Sequence, residues 1–309
     1  MKKLRAVPGR EPQVSDLLDH AKPARVLAEV RGLFRAWYPA AGFRPVAKAF
    51  GLTRRLYLGR FPGYGPCRVE YHDLYHTFQV FSATARLLDG LRLSGRSLSA
   101  EAAANLLLAA LLHDAGYIQD AADREGTGAK FTKTHVDRSA VFVRREAEAF
   151  GLAPARSAAV GRIILGTDLA RPWAGIAFAD PEEAFVASVL AAADLLGQMS
   201  DRAYLERLLF LYYEFREAGI EGYATAFDVL KKTAGFYALV KARLDGPLGG
   251  ASSFARLHFA KRFGLDADLY RQAIDRQMAY LEGIMADDKT NFRRKLHRLD
   301  LEGIERERA

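Results

Sequence analysis

Two histidines four residues apart, His72 and His76, open the stretch YHDLYHTFQVFSATARLLD at 71–89. A second polar pair, His113 and Asp114, closes the apolar run AAANLLLAALL. A third carboxylate, Asp194, falls within PEEAFVASVLAAADLLGQ on the same helical stripe as Val186, Leu190 and Gly197. Imidazoles and carboxylates in such apolar surroundings are costly to bury unless a charged partner or a cation satisfies them. Taken singly, each has an ordinary explanation: an isolated His pair is more often two unrelated histidines, and a lone buried Asp is more often a salt-bridge or hydrogen-bond residue. Three separate stretches that each offer ligands from an apolar face are a much rarer coincidence. Cys67 is the only cysteine, so a metal here must be held by His and carboxylate. That donor set suits Mn, Fe or Zn, or Mg with more oxygen and water.

A second tier of candidates follows in YIQDAADREGTGAKFTKTHVDRSA. Thr134 with Asp137 three residues later reads as a capping box that puts His135 in the first turn of a helix, with Arg138 and Ser139 on the next turn. A helix N-terminus attracts anions. His135 and Arg138 are therefore candidates for a second metal, its waters or a substrate phosphate. Lys130 is a candidate mobile phosphate contact; an exposed loop charge is its plain alternative.

The elements that must position these groups are helices. Ala, Leu, Arg and Glu dominate, apolar residues recur at three and four, and alternating β-branched stretches are nearly absent. The spacing predicts an all-α multi-helix bundle. Helices are expected over 71–89 with both histidines on one face, from Ser99 onward, and from Asp180-Pro181 onward. GRFPGYGP at 59–66 and DGPLGG at 245–250 read as loops, and Gly90 and Gly151 sit where helix ends are expected. This punctuation divides the chain into an N-terminal helical cover over 1–66, a main bundle over 67–245 and closing helices over 246–309, together one compact domain.

In order and separation, His76, His113-Asp114 and Asp194 resemble the H…HD…D signature of the HD-domain metal-dependent phosphohydrolases. Within that superfamily the chain is most similar to the catalytic domain of cyclic-nucleotide phosphodiesterases, whose Y-H-N-x-x-H opening corresponds to Tyr71-His72-Asp73-Leu74-Tyr75-His76. Gly161 to Asp168 (GRIILGTD) is similar to the family's apolar run ending in Thr-Asp, and Leu190 to Glu214 to its segment running from the last metal-binding Asp to an aromatic and acidic pair. The likeness spans roughly 67 to 240 and leaves both ends unassigned. It implies one or two divalent ions, the first held by His76, His113, Asp114 and Asp194, with Asp114 bridging to a second. It also implies hydrolysis of a phosphodiester or phosphomonoester, a nucleotide in that family, by a metal-bound hydroxide, with His72 protonating the leaving oxygen. Three positions depart from the pattern. Asp73 replaces the usual Asn, Tyr117 stands where a second His follows the HD pair, and Thr233 in KKTAGFYALV replaces the Gln that grips a purine edge, while Gly235 and Phe236 are retained. Tyr117 after Gly116 resembles the HD-GYP enzymes only loosely.

Composition narrows the remaining classes. The 309 residues are half hydrophobic and 27% charged, which excludes disorder and collagen-like structure. No apolar run reaches the roughly 18 residues of a membrane span, and MKKLRAVPGREPQ is not followed by a signal core, so a cytoplasmic protein is expected. The net charge of +8 favours anionic partners without choosing among them. Much of the excess lies in an expected final helix, in Lys289, Arg293, Arg294, Lys295 and Arg298 with Asp287, Asp288 and Asp300 interleaved; this reads as a solvated face rather than a nucleic-acid arm. The size suits a monomer or a homodimer alike. The alternative to an enzyme is a regulatory module of the same fold that binds metal and nucleotide without turnover.

Overall fold

The computed structural model describes residues 12–287 and 291–299, and within them the regular secondary structure is all helical, with no strand. Twelve α-helices follow in order: α1 (Pro23–Arg35), α2 (Arg44–Tyr57), α3 (Leu74–Leu93), α4 (Ala100–Leu112), α5 (His135–Arg145), α6 (Ala147–Phe150), α7 (Pro154–Leu165), α8 (Pro181–Met199), α9 (Tyr204–Glu217), α10 (Ala226–Asp245), α11 (Phe254–Phe263) and α12 (Leu269–Ala286). None of the described helices is long and apolar enough to cross a membrane.

At the centre stands α3, buried on all sides from His76 to Leu91. A helix surrounded by others carries no polar stripe, which is why this stretch is apolar around most of its circumference. Helices α8, α4, α1 and α11 pack around it. The approach of α8 is close: a Cβ placed on Gly197 would lie 3.2 Å from the backbone nitrogen of Val80, so a larger residue there would push the two helices apart by a few tenths of an ångström. Helix starts follow the expected chemistry. Ser99 accepts from Ala102 N, and Asp180, followed by Pro181, accepts from Glu183 N.

Four expectations are corrected. Gly90 does not end a helix; it lies inside α3, where a Cβ would stand 1.8 Å from Phe254 O, and it is the contact that admits α11. His72 is not on α3, because Asp73 is the N-cap and its Oδ1 accepts from His76 N at 2.8 Å. Thr134 is the N-cap residue of α5 but makes no side-chain cap, since Asp137 pairs instead with the Arg171 guanidinium at 2.7 and 2.8 Å. Among its described residues the basic C-terminal run forms no long helix: α12 stops at Ala286, Phe292–Lys295 is a single 3-10 turn, and Lys295 pairs with Asp287. Asp288, Lys289 and Asp300 lie outside the described residues.

Candidate metal centre and cleft

Three helix segments deliver the ligand set. His76 comes from the first turn of α3, His113 from the C-cap of α4 with Asp114 directly after it, and Asp194 from the middle of α8. Ligand atoms of His76, His113 and Asp114 all lie within 4.8 Å of one another. The two imidazole Nε2 atoms face each other at 3.3 Å. Asp194 Oδ1 stands 3.3 Å from His76 Nε2 and 3.6 Å from His113 Nε2, and Asp114 Oδ2 lies 3.4 and 3.3 Å from the same nitrogens. Asp114 Oδ2 is buried with no hydrogen-bond partner.

These details fit a cation. His113 Nδ1 is 3.0 Å from Ala110 O and donates to it, which leaves Nε2 as the lone-pair nitrogen, the arrangement that metal-binding histidines use to fix their tautomer. Two lone pairs aimed at each other need something positive between them. Burial alone would strip charge from both rings, yet the neighbouring Asp114 and Asp194 carboxylates outweigh it and raise His76, and His113 well above the ordinary imidazole value. Burial likewise opposes the carboxylate charges, but His113 and His76 hold Asp114 well below its usual range and lower Asp194 as well. The cluster is a balance of two anions against a charge that either protons or a metal can supply.

On the other side of Asp114, His135 Nε2 lies 3.6 Å from Oδ1. Its Nδ1 donates to Thr132 O at 2.7 Å, and burial lowers its pKa, so the ring is neutral with its lone pair toward the carboxylate. Asp114 thus turns one oxygen to each side, the disposition a bridging carboxylate needs. Tyr117, in the position where the phosphodiesterase pattern has a second histidine, stacks on both His72 and His135, with ring centroids 4.6 and 4.5 Å away.

His72 sits just before α3, its side chain slightly exposed, and its Nδ1 is 2.7 Å from Glu214 Oε2. The other oxygen of Glu214 accepts from Tyr71 N at 2.8 Å. Glu214 lies on the buried side of α9, and the same helix anchors this loop a second time through Arg207, which donates to Glu70 O and Tyr71 O and pairs with Asp73. Sequence reasoning reached Glu214 only as the end of a similar segment. The signal for its role was present: a carboxylate one turn beyond Phe210 on an apolar helix, the same signal that singled out Asp194.

Lys130 and Arg138 are not brought to the cluster. Lys130 Nζ bonds Asp123 at 2.8 Å. Arg138 donates to Gly116 O and lies 3.5 Å above the Phe131 ring, lining a different surface hollow with Tyr64 and Arg145. Both cations are committed to structure.

From the cluster a cleft of about 1030 Å³, counting its mouth, opens between α9, α10 and the turn after α7. His72, Asp114, His135 and Asp194 line it together with Leu208, Leu211 and Phe215 of α9 and Val229, Thr233 and Phe236 of α10.

A protein-family model described as Npun_R2479-like matches residues 121–244. It includes His135, Asp194, Glu214 and most of the cleft wall, and leaves out His72, His76, His113 and Asp114. No curated protein and no solved structure matches the chain.

Proposed function

We propose that the protein is a metal-dependent phosphohydrolase similar to the HD-domain superfamily, acting on a phosphodiester or phosphomonoester. The observation that supports this most is the meeting of His76, His113, Asp114 and Asp194 around facing Nε2 atoms, with a buried Asp114 oxygen that has no other partner. These four would hold the first divalent ion; Asp114 Oδ1 and His135 would hold a second. When bound, such an ion supplies acidified water and neutralises charge on a phosphoryl oxygen.

The protein's own groups do the rest. His72 is held by Glu214 through Nδ1, which leaves Nε2 to deliver a proton to the departing oxygen. Glu214 in turn is held in place by Tyr71 N, so the proton donor is oriented by a chain of hydrogen bonds that begins on α9. Tyr117 packs against His72 and His135 and keeps water from their faces. A purely regulatory module would leave this oriented His72 without a task. The nucleotide part of the expectation has less behind it, because Thr233, at the position of a purine-binding Gln, spends its hydroxyl on Val229 O.

The test is metal analysis together with hydrolysis of bis-p-nitrophenyl phosphate under Mn or Mg. The wild type is expected to bind metal and turn over. His113→Ala and Asp114→Ala are expected to lose the bound metal and at least about a hundredfold in rate, in line with removal of a group that acts with the metal. A metal-loaded wild type that hydrolyses neither this ester nor any of a panel of phosphate esters would sink the proposal.

A further inference from the structure

The walls that α9, α10 and the turn after α7 give the cleft are largely hydrocarbon. Leu208, Leu211 and Phe215 come from α9, Val229 and Phe236 from α10, and Leu169 from the turn after α7. Most of the polar side chains interspersed among them make a bond within the protein. Thr233 Oγ1 donates to Val229 O at 2.8 Å, Thr167 Oγ1 to Ile164 O at 2.9 Å, Thr132 Oγ1 to Ala129 O at 2.6 Å and Lys232 Nζ to Gly222 O. Asp168 accepts from Ala170 N and Arg171 Nε. The groups left over are hydroxyls and one amide: the Tyr117 and Tyr204 hydroxyls, both buried without a partner, the Tyr223 hydroxyl, and the amide nitrogen of Gln198, whose oxygen accepts from the Tyr71 hydroxyl. Tyr204 and Gln198 lie beside Tyr71, Tyr117 stacks on His72, and Tyr223 packs on Phe215.

Beyond Phe236 the surface stays largely apolar, and the one charged side chain among the described residues there, Arg243, donates to Gly166 O and Asp168 O. Phe236 and Leu169 also line an adjoining hollow with Val240, Ala242 and Pro247, and there Leu239 is 70% exposed and Leu169 48%. Each hydrogen-bonding edge atom that a heterocyclic base buried against Leu208, Leu211, Val229 or Phe236 would go unpaired, at roughly 1–3 kcal/mol. A hydrocarbon seated there gains about 0.8 kcal/mol for every methylene removed from water.

We propose that the substrate is a phosphate ester whose body is an aliphatic chain, with the ester group at the His/Asp cluster and the chain lying along α9 and α10 and out past Phe236. This rests on the phosphohydrolase reading of the same site. Lipid in a bilayer and a soluble alkyl phosphate share this chemistry.

The experiment uses the full chain and three p-nitrophenyl alkyl phosphates, methyl, butyl and octyl, beside a nucleoside p-nitrophenyl phosphate. Binding of methyl-, butyl- and octylphosphonate by calorimetry reads the same wall without turnover. With the metal-loaded protein, kcat/KM is expected to rise two- to fourfold per methylene, fourfold being what about 0.8 kcal/mol of full burial gives. Phosphonate Kd is expected to fall by the same factor. Leu211→Asp should flatten both series, and Phe236→Ala, at a half-exposed position, should lower the octyl-to-methyl ratio if the first variant does not fold. Turnover with a flat series, or preference for the nucleoside ester over the octyl ester, overturns the aliphatic substrate and leaves the phosphohydrolase standing. A chain-length trend in phosphonate binding with no turnover of any ester supports the apolar subsite and overturns the enzyme. Given the trend, octyl phosphate esters presented in vesicles and as free monomers separate the two sources: turnover of the vesicle form assigns the chain to a bilayer, and turnover of the monomer alone assigns it to solution.

Discussion

Glu214 shows how much a single carboxylate can decide. Its Oε1 must accept from Tyr71 N and its Oε2 faces His72 Nδ1, so both oxygens are committed. In Glu214→Gln the amide oxygen would stay with Tyr71 N, and the NH2 would then point at Nδ1. Two donors cannot share that contact, so His72 would be forced into the tautomer with its proton on Nε2, and the doubly protonated ring would lose its place. The expected result is a fall in kcat of about a hundredfold or more with metal content unchanged, checked by pH–rate profiles beside metal analysis. A variant that loses metal as well would mean that Glu214 only supports the fold. At this scale the sequence was most legible where a polar residue interrupted an apolar run: His76, His113, Asp114 and Asp194 could all be picked out this way, and the structure gathers them. It was least legible where a charge had an alternative partner nearby. Lys130 has Asp123, and Arg138 has two backbone carbonyls and the Phe131 ring; neither pairing has a spacing that announces it.

Among the elements, α9 fastens both the segment that carries His72 and the loop that leads into α5 and His135. Arg207 and Glu214 hold 70–73, and Glu217 holds 127–130 by accepting from the backbone nitrogens of Thr127, Gly128 and Lys130 and from the Thr127 hydroxyl. The second loop can approach Glu217 because Gly126 and Gly128 have φ of +68° and +101°, a left-handed backbone, and a Cβ on Gly126 would meet Glu217 Oε1 at 2.5 Å. Glu217→Ala should free this loop and with it the Thr132 carbonyl that orients His135. Proteolytic nicking within 121–134 is expected to speed up and kcat to drop about tenfold, while the His76–His113–Asp114 group, which the loop does not touch, still retains metal. Helix starts were legible because Ser99 and Asp180 carry their own chemistry. Gly90 was misread for a physical reason: glycine ends a helix where φ is positive, but it also sits mid-helix where another backbone comes close, and only the packing tells these apart. Gly90→Ala should therefore destabilise the protein by about 1–3 kcal/mol or more in urea unfolding, since Phe254 O would have to move.

Over the described molecule, α1 with the segment after it, and α11 and α12, are fixed to α3 by buried charge. Asp89 accepts from Trp37 Nε1, His258 Nδ1 and the Arg262 guanidinium, joining the segment after α1 to α11, and Arg86 bonds Glu29 of α1 and Tyr270 of α12. The sequence left both ends unassigned because these pairings reach across 52 to 184 residues, and neither Arg86 nor Asp89 lies on the apolar stripe that marks the helix. This network carries a pH signature. Burial outweighs the Asp89 carboxylate and lowers His258, and burial together with Arg86 pushes His20 down to about 3. Both rings are then neutral in the fold, and His258 Nε2 is buried without a partner, where a proton would be an unmet donor. In the unfolded chain both titrate near the ordinary imidazole value of about 6.5. Between that value and the folded one the unfolded state binds more protons, so stability falls as pH drops below about 6.5. Asp89, held at about 2 by Arg262, His258 and Trp37 against burial, adds to the loss only once pH falls below the usual carboxylate range. His258→Asn retains a donor toward Asp89 and removes the titration. Urea unfolding of chelator-treated protein at pH 7 and pH 5 should show the wild type losing more stability than His258→Asn, by at most about 1.4 kcal/mol for each pH unit below 6.5. Equal losses would mean that His258 is protonated in the fold, and that the buried network at this end of α3 carries one more positive charge than its geometry allows.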